Sequence, residues 1–170
     1  MMLLAFEVFT VFLTAIAMGL ALAHALEYPG KLRLDEQTYR VVQTIYYPGF
    51  TIGGIAEPVA AIAILGLLVI MRDRSAQFSW LLVAFIALAA MHAVFWSVTQ
   101  PVNRFWLKNQ KLNQAGDKFF DTGHIHAADR SGTGEADWRY LRNRWEYSHI
   151  TRAVLSVIAF IAITVAVATR

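Results

Sequence analysis

The chain has 170 residues, 57% hydrophobic and 16% charged, where an ordinary soluble domain has about 45–50% and about 25%. That balance excludes a soluble globular domain. Acids nearly match bases on the side of the chain where most charge falls, which argues against nucleic acid as a partner, and the absence of cysteine excludes disulfides, thiolate ligands and cysteine nucleophiles.

A bilayer core about 30 Å thick needs about 20 apolar residues per helix, and four runs qualify: about 2–26, 50–71, 78–98 and 150–169. The first lacks a basic amino-terminal region and exceeds the apolar stretch of about 7–15 residues in a signal peptide, so it is read as a span. Glu27-Tyr28-Pro29-Gly30 is expected to stop it. A short helix at the membrane surface follows over Leu34 to Tyr47, with Asp35 as its cap, and Pro48-Gly49 breaks it before the second span. The brief connection Arg72 to Gln77 forces an antiparallel hairpin. A polar insertion, about 104–136, separates spans three and four. Order returns at Asp137, where Trp138, Leu141, Trp145 and His149 follow at spacings of three and four, one helical face running into the bilayer. Small residues at helical spacing (Ala15, Gly19 and Ala23 in the first span, Ala159 and Ala162 in the fourth) are expected to let the helices approach closely. The expected fold is all-α: one integral membrane domain over 1–170, an antiparallel four-helix bundle with that surface helix and an extended polar loop. Four spans without broken mid-membrane helices argue against a channel or transporter.

The bases are unevenly placed. The side carrying the two larger loops, side B, receives Lys31, Arg33, Arg40, Arg104, Lys108, Lys111, Lys118, Arg130, Arg139, Arg142, Arg144 and Arg152, and the other side only Arg72, Arg74 and Arg170. Lys- and Arg-rich short loops stay cytoplasmic. The expectation is therefore a bacterial inner membrane, the long loop inside and both termini outside.

Ionisable groups at span depth are costly and need a reason. Glu7 lies in the first span and His24 and Glu27 close its helix, Glu57 lies in the second, His92 in the third, and Glu146, His149 and Arg152 open the fourth. Helix one ends at side B and helix four begins there, so His24 and His149 are expected at one level. Glu57 and His92 lie deeper, about 10–15 Å in at 1.5 Å per residue, and are expected to face each other. Glu146-x-x-His149, with His24-x-x-Glu27 as its reverse and Glu57 as a bridging carboxylate, resembles the ligand pattern of di-iron bundles. The candidate metal set is thus His24, Glu27, Glu57, His92, Glu146 and His149. Two histidines at equal depth also suit bis-histidine haem ligation. No cofactor, a transition metal and haem all remain open. More ordinary roles are open too: Glu146 pairing with Arg142 or Arg152, Trp145 and Tyr147 in an interfacial aromatic belt, and His124 and His126 in a solvated loop.

Four stretches carry a family resemblance: A-H-A-L-E-Y-P-G-K at 23–31, Y-R-V-V-Q-T-I-Y at 39–46, T-Q-P-V-N-R at 99–104 and D-W-R-Y-L-R-N-R-W-E-Y-S-H at 137–149. Together they resemble the bacterial branch of the anthrone-oxygenase-like family of small four-span membrane proteins. The resemblance covers all four spans. Its fungal members oxidise an anthrone to an anthraquinone with molecular oxygen. It implies an oxygen-using oxidation of a flat, hydrophobic aromatic or quinol-like substrate, with matching positions at His24, Lys31, Gln43, Tyr46, Asn103 and Trp145 through His149. The chain departs from the family in its extended segment, about Phe105 to Ala136, and in His149, where fungal members look closer to asparagine. Under this reading His24 or His149 is the general base, Asn103, Gln43 or Tyr46 holds the developing oxyanion, and Glu146 and Trp145 belong to the same mouth. The competing classes are a non-catalytic subunit of a larger membrane complex or homo-oligomer, and a metal or haem carrier using His24 and His149.

Overall fold

The computed structural model describes residues 1–107, Gly116, Lys118 and 135–169; for Arg104 and residues 135–137 it gives the backbone alone. Among these residues there is helix and turn and no strand. The helices are α1 (Met2–Lys31), α2 (Glu36–Gln43), α3 (Gly49–Gly53), α4 (Ala56–Ile70), α5 (Ser75–Val94), α6 (Gln100–Leu107) and α7 (Glu135–Ala168). A 3-10 turn, Thr44–Tyr46, follows α2, and a π-helical turn, Phe95–Thr99, joins α5 to α6. Four helical segments are long and apolar enough to cross a membrane: Met2–Lys31, Gly49–Ile70, Ser75–Leu107 and Trp138–Ala168. Most of the 104–136 insertion, with Lys108, Lys111, His124, His126 and Arg130, lies outside the described residues, as does Arg170.

The four long helices close into a ring. α7 packs along α5 and α1, α1 along α4, and α4 along α5. With up-down connectivity every neighbour is antiparallel. Alanines let the backbones come close: Ala60, Ala84, Ala159, Ala162 and Ala166 are buried beside Ile64, Leu67, Leu81, Leu88 and Ile163. Buried hydroxyls are satisfied within their own helices, Thr10 on the Phe6 carbonyl (2.7 Å), Thr14 on Thr10 (2.8 Å) and Ser156 on Ala153 (2.7 Å). Toward side B the packing becomes aromatic, built from Tyr39, Tyr46, Trp106, Trp138 and Trp145.

Several expectations change. The helix-one stripe of Ala15, Gly19 and Ala23 is not the packed face; the buried line is Thr10, Thr14, Ala17, Ala21 and His24. The polar residues of this span, Glu7, Thr10, Thr14 and His24, mark that inward face. Nor does helix one stop at 27–30. It passes through Pro29 to Lys31, because buried Lys31 ties the last turn back to Glu27 (3.1 Å) and across to Glu146 on α7 (3.7 Å). Those ties offset the hydrogen bond that Pro29 cannot donate. The second and third spans are not regular. The second is divided at Gly54 and Ile55, and α4 restarts with Pro58 in its first turn, where the missing N–H is not needed. Gly53 sits where a Cβ would meet the Leu20 side chain at 2.7 Å, so α3 lies close on α1. The third carries the π-helical turn.

The surface helix forms as expected. The Asp35 carboxylate accepts from the Thr38 N–H at 2.8 Å, which holds its carboxyl below the usual range. A cap with a depressed carboxyl acts at neutral pH and is lost only as pH falls through that lowered value.

Candidate functional site

Lys31 organises the side B end of the bundle. It is 4% exposed, between the carboxylates of Glu27 and Glu146, with its ammonium over the rings of Tyr46 (4.7 Å) and Trp145 (4.8 Å). The Tyr46 hydroxyl donates to Glu27, and the Tyr39 hydroxyl to Glu146 at 2.8 Å. Burial first, and then the neighbouring carboxylates, push both phenols upward, so both stay protonated at physiological pH. Lys31 and Glu146 are therefore buried partners, not exposed loop charges. Glu146 pairs with neither Arg142, which lies over Trp138, nor Arg152.

On this base stand the two histidines. His24 and His149 meet at a ring-centroid distance of 4.1 Å, tilted 40°. Equal depth was the expectation; ring contact is the finding. His24 also touches Tyr46 (4.4 Å), Phe50 (4.6 Å) and Trp145 (5.2 Å), and His149 touches Trp145 at 4.1 Å. Both ring nitrogens of His149 and Nδ1 of His24 are buried with no hydrogen-bond partner among the described residues. Trp145 does not sit in an interfacial belt. It is 3% exposed, and its indole N–H donates to Asn103 Oδ1 at 2.7 Å. Asn103 Nδ2 donates to Gln100 at 3.2 Å, so both ends of that amide are occupied.

Deeper lies a second polar group. Glu57 accepts from the Arg152 guanidinium at 2.7 Å and bonds His92 Nδ1 at 3.0 Å, while the Trp96 N–H donates to His92 Nε2 at 2.9 Å. A ring that accepts at Nε2 carries its proton on Nδ1, which fixes the tautomer. The facing of Glu57 and His92 is as expected. The role of Arg152 is not: placed among the side B loop charges, it turns into the bundle one turn past His149.

Between these groups is a cavity of about 530 Å³, lined by His24, Gln43, Tyr46, Asn103, Trp145 and His149 at one end and by Glu57, His92, Trp96 and Arg152 at the other. Its size falls within the range of about 300–1,000 Å³ for small-molecule sites. Phe50, Phe95 and Trp106 add aromatic wall. Three donors on its lining residues lack hydrogen-bond partners among the described residues, Gln43 Nε2, Trp106 Nε1 and Arg152 Nε.

Eight of the residues expected at the site thus share one cavity. Glu27 and Glu146 stand behind it. The six candidate metal ligands do not converge: each carboxylate is turned to Lys, Arg, Tyr or His92, and no metal-like cluster of three His, Asp or Glu occurs among the described residues. Bis-histidine haem ligation does not fit either, since imidazoles in mutual contact leave no plane for a macrocycle between them. Sequence reasoning missed Tyr39, Trp106 and the inward turn of Arg152. The signals were present as spacings: Tyr39, Gln43 and Tyr46 share one face, Trp106 is three past Asn103, and Arg152 three past His149.

A family model described as anthrone oxygenase matches residues 43–162. No curated protein and no solved structure matches the chain.

Proposed function

The chain belongs to the anthrone oxygenase family, and from that membership we propose that it oxidises a planar, uncharged aromatic substrate of anthrone type with molecular oxygen inside this cavity. The observation that carries the proposal is the contact pair His24–His149 in the wall of an aromatic cavity, with buried ring nitrogens that, like the N–H groups of Gln43 and Trp106 in the same wall, have no partner among the described residues.

The substrate carbonyl oxygen lies against Gln43 and Trp106, whose N–H groups stabilise negative charge as it develops. The C–H bond opposite that carbonyl breaks. Its proton goes to an imidazole of the pair and its electron pair into the rings. Dioxygen takes up those electrons as a new C–O bond forms. The imidazolium then returns its proton to the distal oxygen, the O–O bond breaks, and that oxygen leaves with the remaining hydrogen as water, giving the second carbonyl. Anthrone and dioxygen become anthraquinone and water, so atoms and electrons balance with no further reductant. Tyr46 holds its hydrogen on Glu27 and Asn103 clamps Trp145; these two position the walls.

Purified protein in lipid vesicles, given an anthrone and air, is expected to consume about one dioxygen per quinone formed, well above a lipid blank. Uptake equal to the blank would overturn the proposal.

The orientation belongs to the same reading: side B in the cytoplasm and the termini outside, in a bacterial inner membrane. With no native cysteine in the chain, a Met1→Cys variant is expected to react with an impermeant thiol reagent in intact cells. Protection there, with labelling after lysis, would reverse the orientation.

A further inference from the structure

We infer that the substrate reaches the cavity sideways from the lipid, through the wall between the Gly54–Ile55 break and the Phe95–Thr99 turn, so that its class is membrane-dissolved, uncharged planar aromatics. The inference rests on the proposed use of the cavity and adds the route and the phase from which the substrate comes.

Three side chains carry it. Ile52, Ile55 and Trp96 all line the cavity. Yet they are 64%, 59% and 49% exposed on the outside of the bundle, within segments apolar and long enough to span a membrane. A side chain that borders the cavity on one face and the surroundings on the other marks an opening, not a sealed wall. Those surroundings are acyl chains at that depth.

Both helices beside the opening are irregular. The second span is interrupted between α3 and α4, and the third adopts its π-helical turn at the same wall. Each irregularity removes a stretch of regular ridge, and π turns within helices recur at functional sites. The short α3 is held mainly to α1 and to the 3-10 turn.

On the opposite approach, from the water on side B, the described residues form a charge-paired cluster. Glu27, Lys31, Glu146, Tyr39 and Tyr46 are bonded or ion-paired to one another there. A greasy ring entering from water would have to part a buried lysine from two carboxylates. On the lipid side it need only displace acyl chains, and it carries no charge to desolvate. Trp96 forms one post of the opening and is fixed by its bond to His92, which Glu57 and Arg152 anchor to α4 and α7.

The route is read from binding rates, independently of turnover. A series of neutral alkyl-substituted anthraquinones of rising lipid–water partition is mixed with protein in phosphatidylcholine vesicles. Saturable quenching of tryptophan fluorescence reports occupancy, since Trp96, Trp106 and Trp145 line the cavity. At equal aqueous concentration, a tenfold rise in partition is expected to speed association about tenfold, because the encounter takes place in the bilayer. An Ile55→Trp variant, which narrows the opening, is expected to slow association and dissociation together across the whole series. Association rates independent of partition, with saturable quenching intact, would overturn the lateral route and leave the reading of the cavity standing. Absence of saturable quenching by any member would overturn both.

Discussion

A His24→Ala, His149→Ala double variant is expected to oxidise an anthrone about 10²–10⁴-fold more slowly than the unaltered chain, the range that a positioned general base contributes. The expectation rests on two facts. The imidazoles are the groups with unpartnered basic nitrogens in the cavity, and the neighbouring carboxylates are already engaged by Lys31, Arg152, His92 and the two tyrosines. The rings touch at 4.1 Å, so either can approach a proton released at the same place. Each single variant should therefore lose less than the double. Losses that simply multiply would mean two independent roles, not one shared base. The variants also remove ring contacts with Tyr46, Phe50 and Trp145. Quinone affinity from tryptophan quenching separates lost chemistry from a collapsed cavity. A double variant with unchanged turnover would remove the histidines from the mechanism.

The second large effect is on stability. Replacing Glu57 by alanine leaves the Arg152 guanidinium, 12% exposed, without the carboxylate that binds it at 2.7 Å. Breaking a buried pair on one side costs about 3–5 kcal/mol, most of it the uncompensated charge left behind. The figure agrees with the cost of about 2.5–3.5 kcal/mol for placing a charged residue at the centre of a membrane helix. Arg152→Ala should cost a similar amount by stranding Glu57, cushioned by the His92 bond at 3.0 Å. A Glu57→Leu, Arg152→Met pair removes both charges and should recover most of the loss. Unfolding in mixed micelles with a graded denaturing detergent measures all three. Single variants within about 0.5 kcal/mol of the parent would show the pair to be dispensable.

Much of the architecture was legible because a bilayer prescribes it. Run length marks the spans, and alternating direction then brings the end of helix one level with the start of helix four. That argument paired His24 with His149, and Glu57 with His92, without any contact information. Rotation was harder to read. In helix one the polar residues Glu7, Thr10, Thr14 and His24 share one face, and that face, not the small-residue stripe of Ala15 and Gly19, turns inward. Rotation also decides Trp145 and Arg152. Both are residue types common at a membrane surface, and both turn into the bundle because Asn103 and Glu57 wait there. Pro29 was misleading for a related reason: its local preference yields to Lys31, whose partners lie 4 residues back and on α7. Local signals named the candidates, and tertiary pairing sorted those that line the cavity from those that brace it.

In the proposed function an imidazole of the His24–His149 pair takes a proton from carbon of a substrate in the cavity, before oxygen is involved. The most direct test is anaerobic exchange. An anthrone incubated with the protein in vesicles made up in deuterium oxide, with oxygen excluded, should take up deuterium at the carbon opposite its carbonyl much faster than with empty vesicles. That acceleration should disappear in the double histidine variant. Exchange no faster than in empty vesicles, or equally fast in the variant, would contradict the claim.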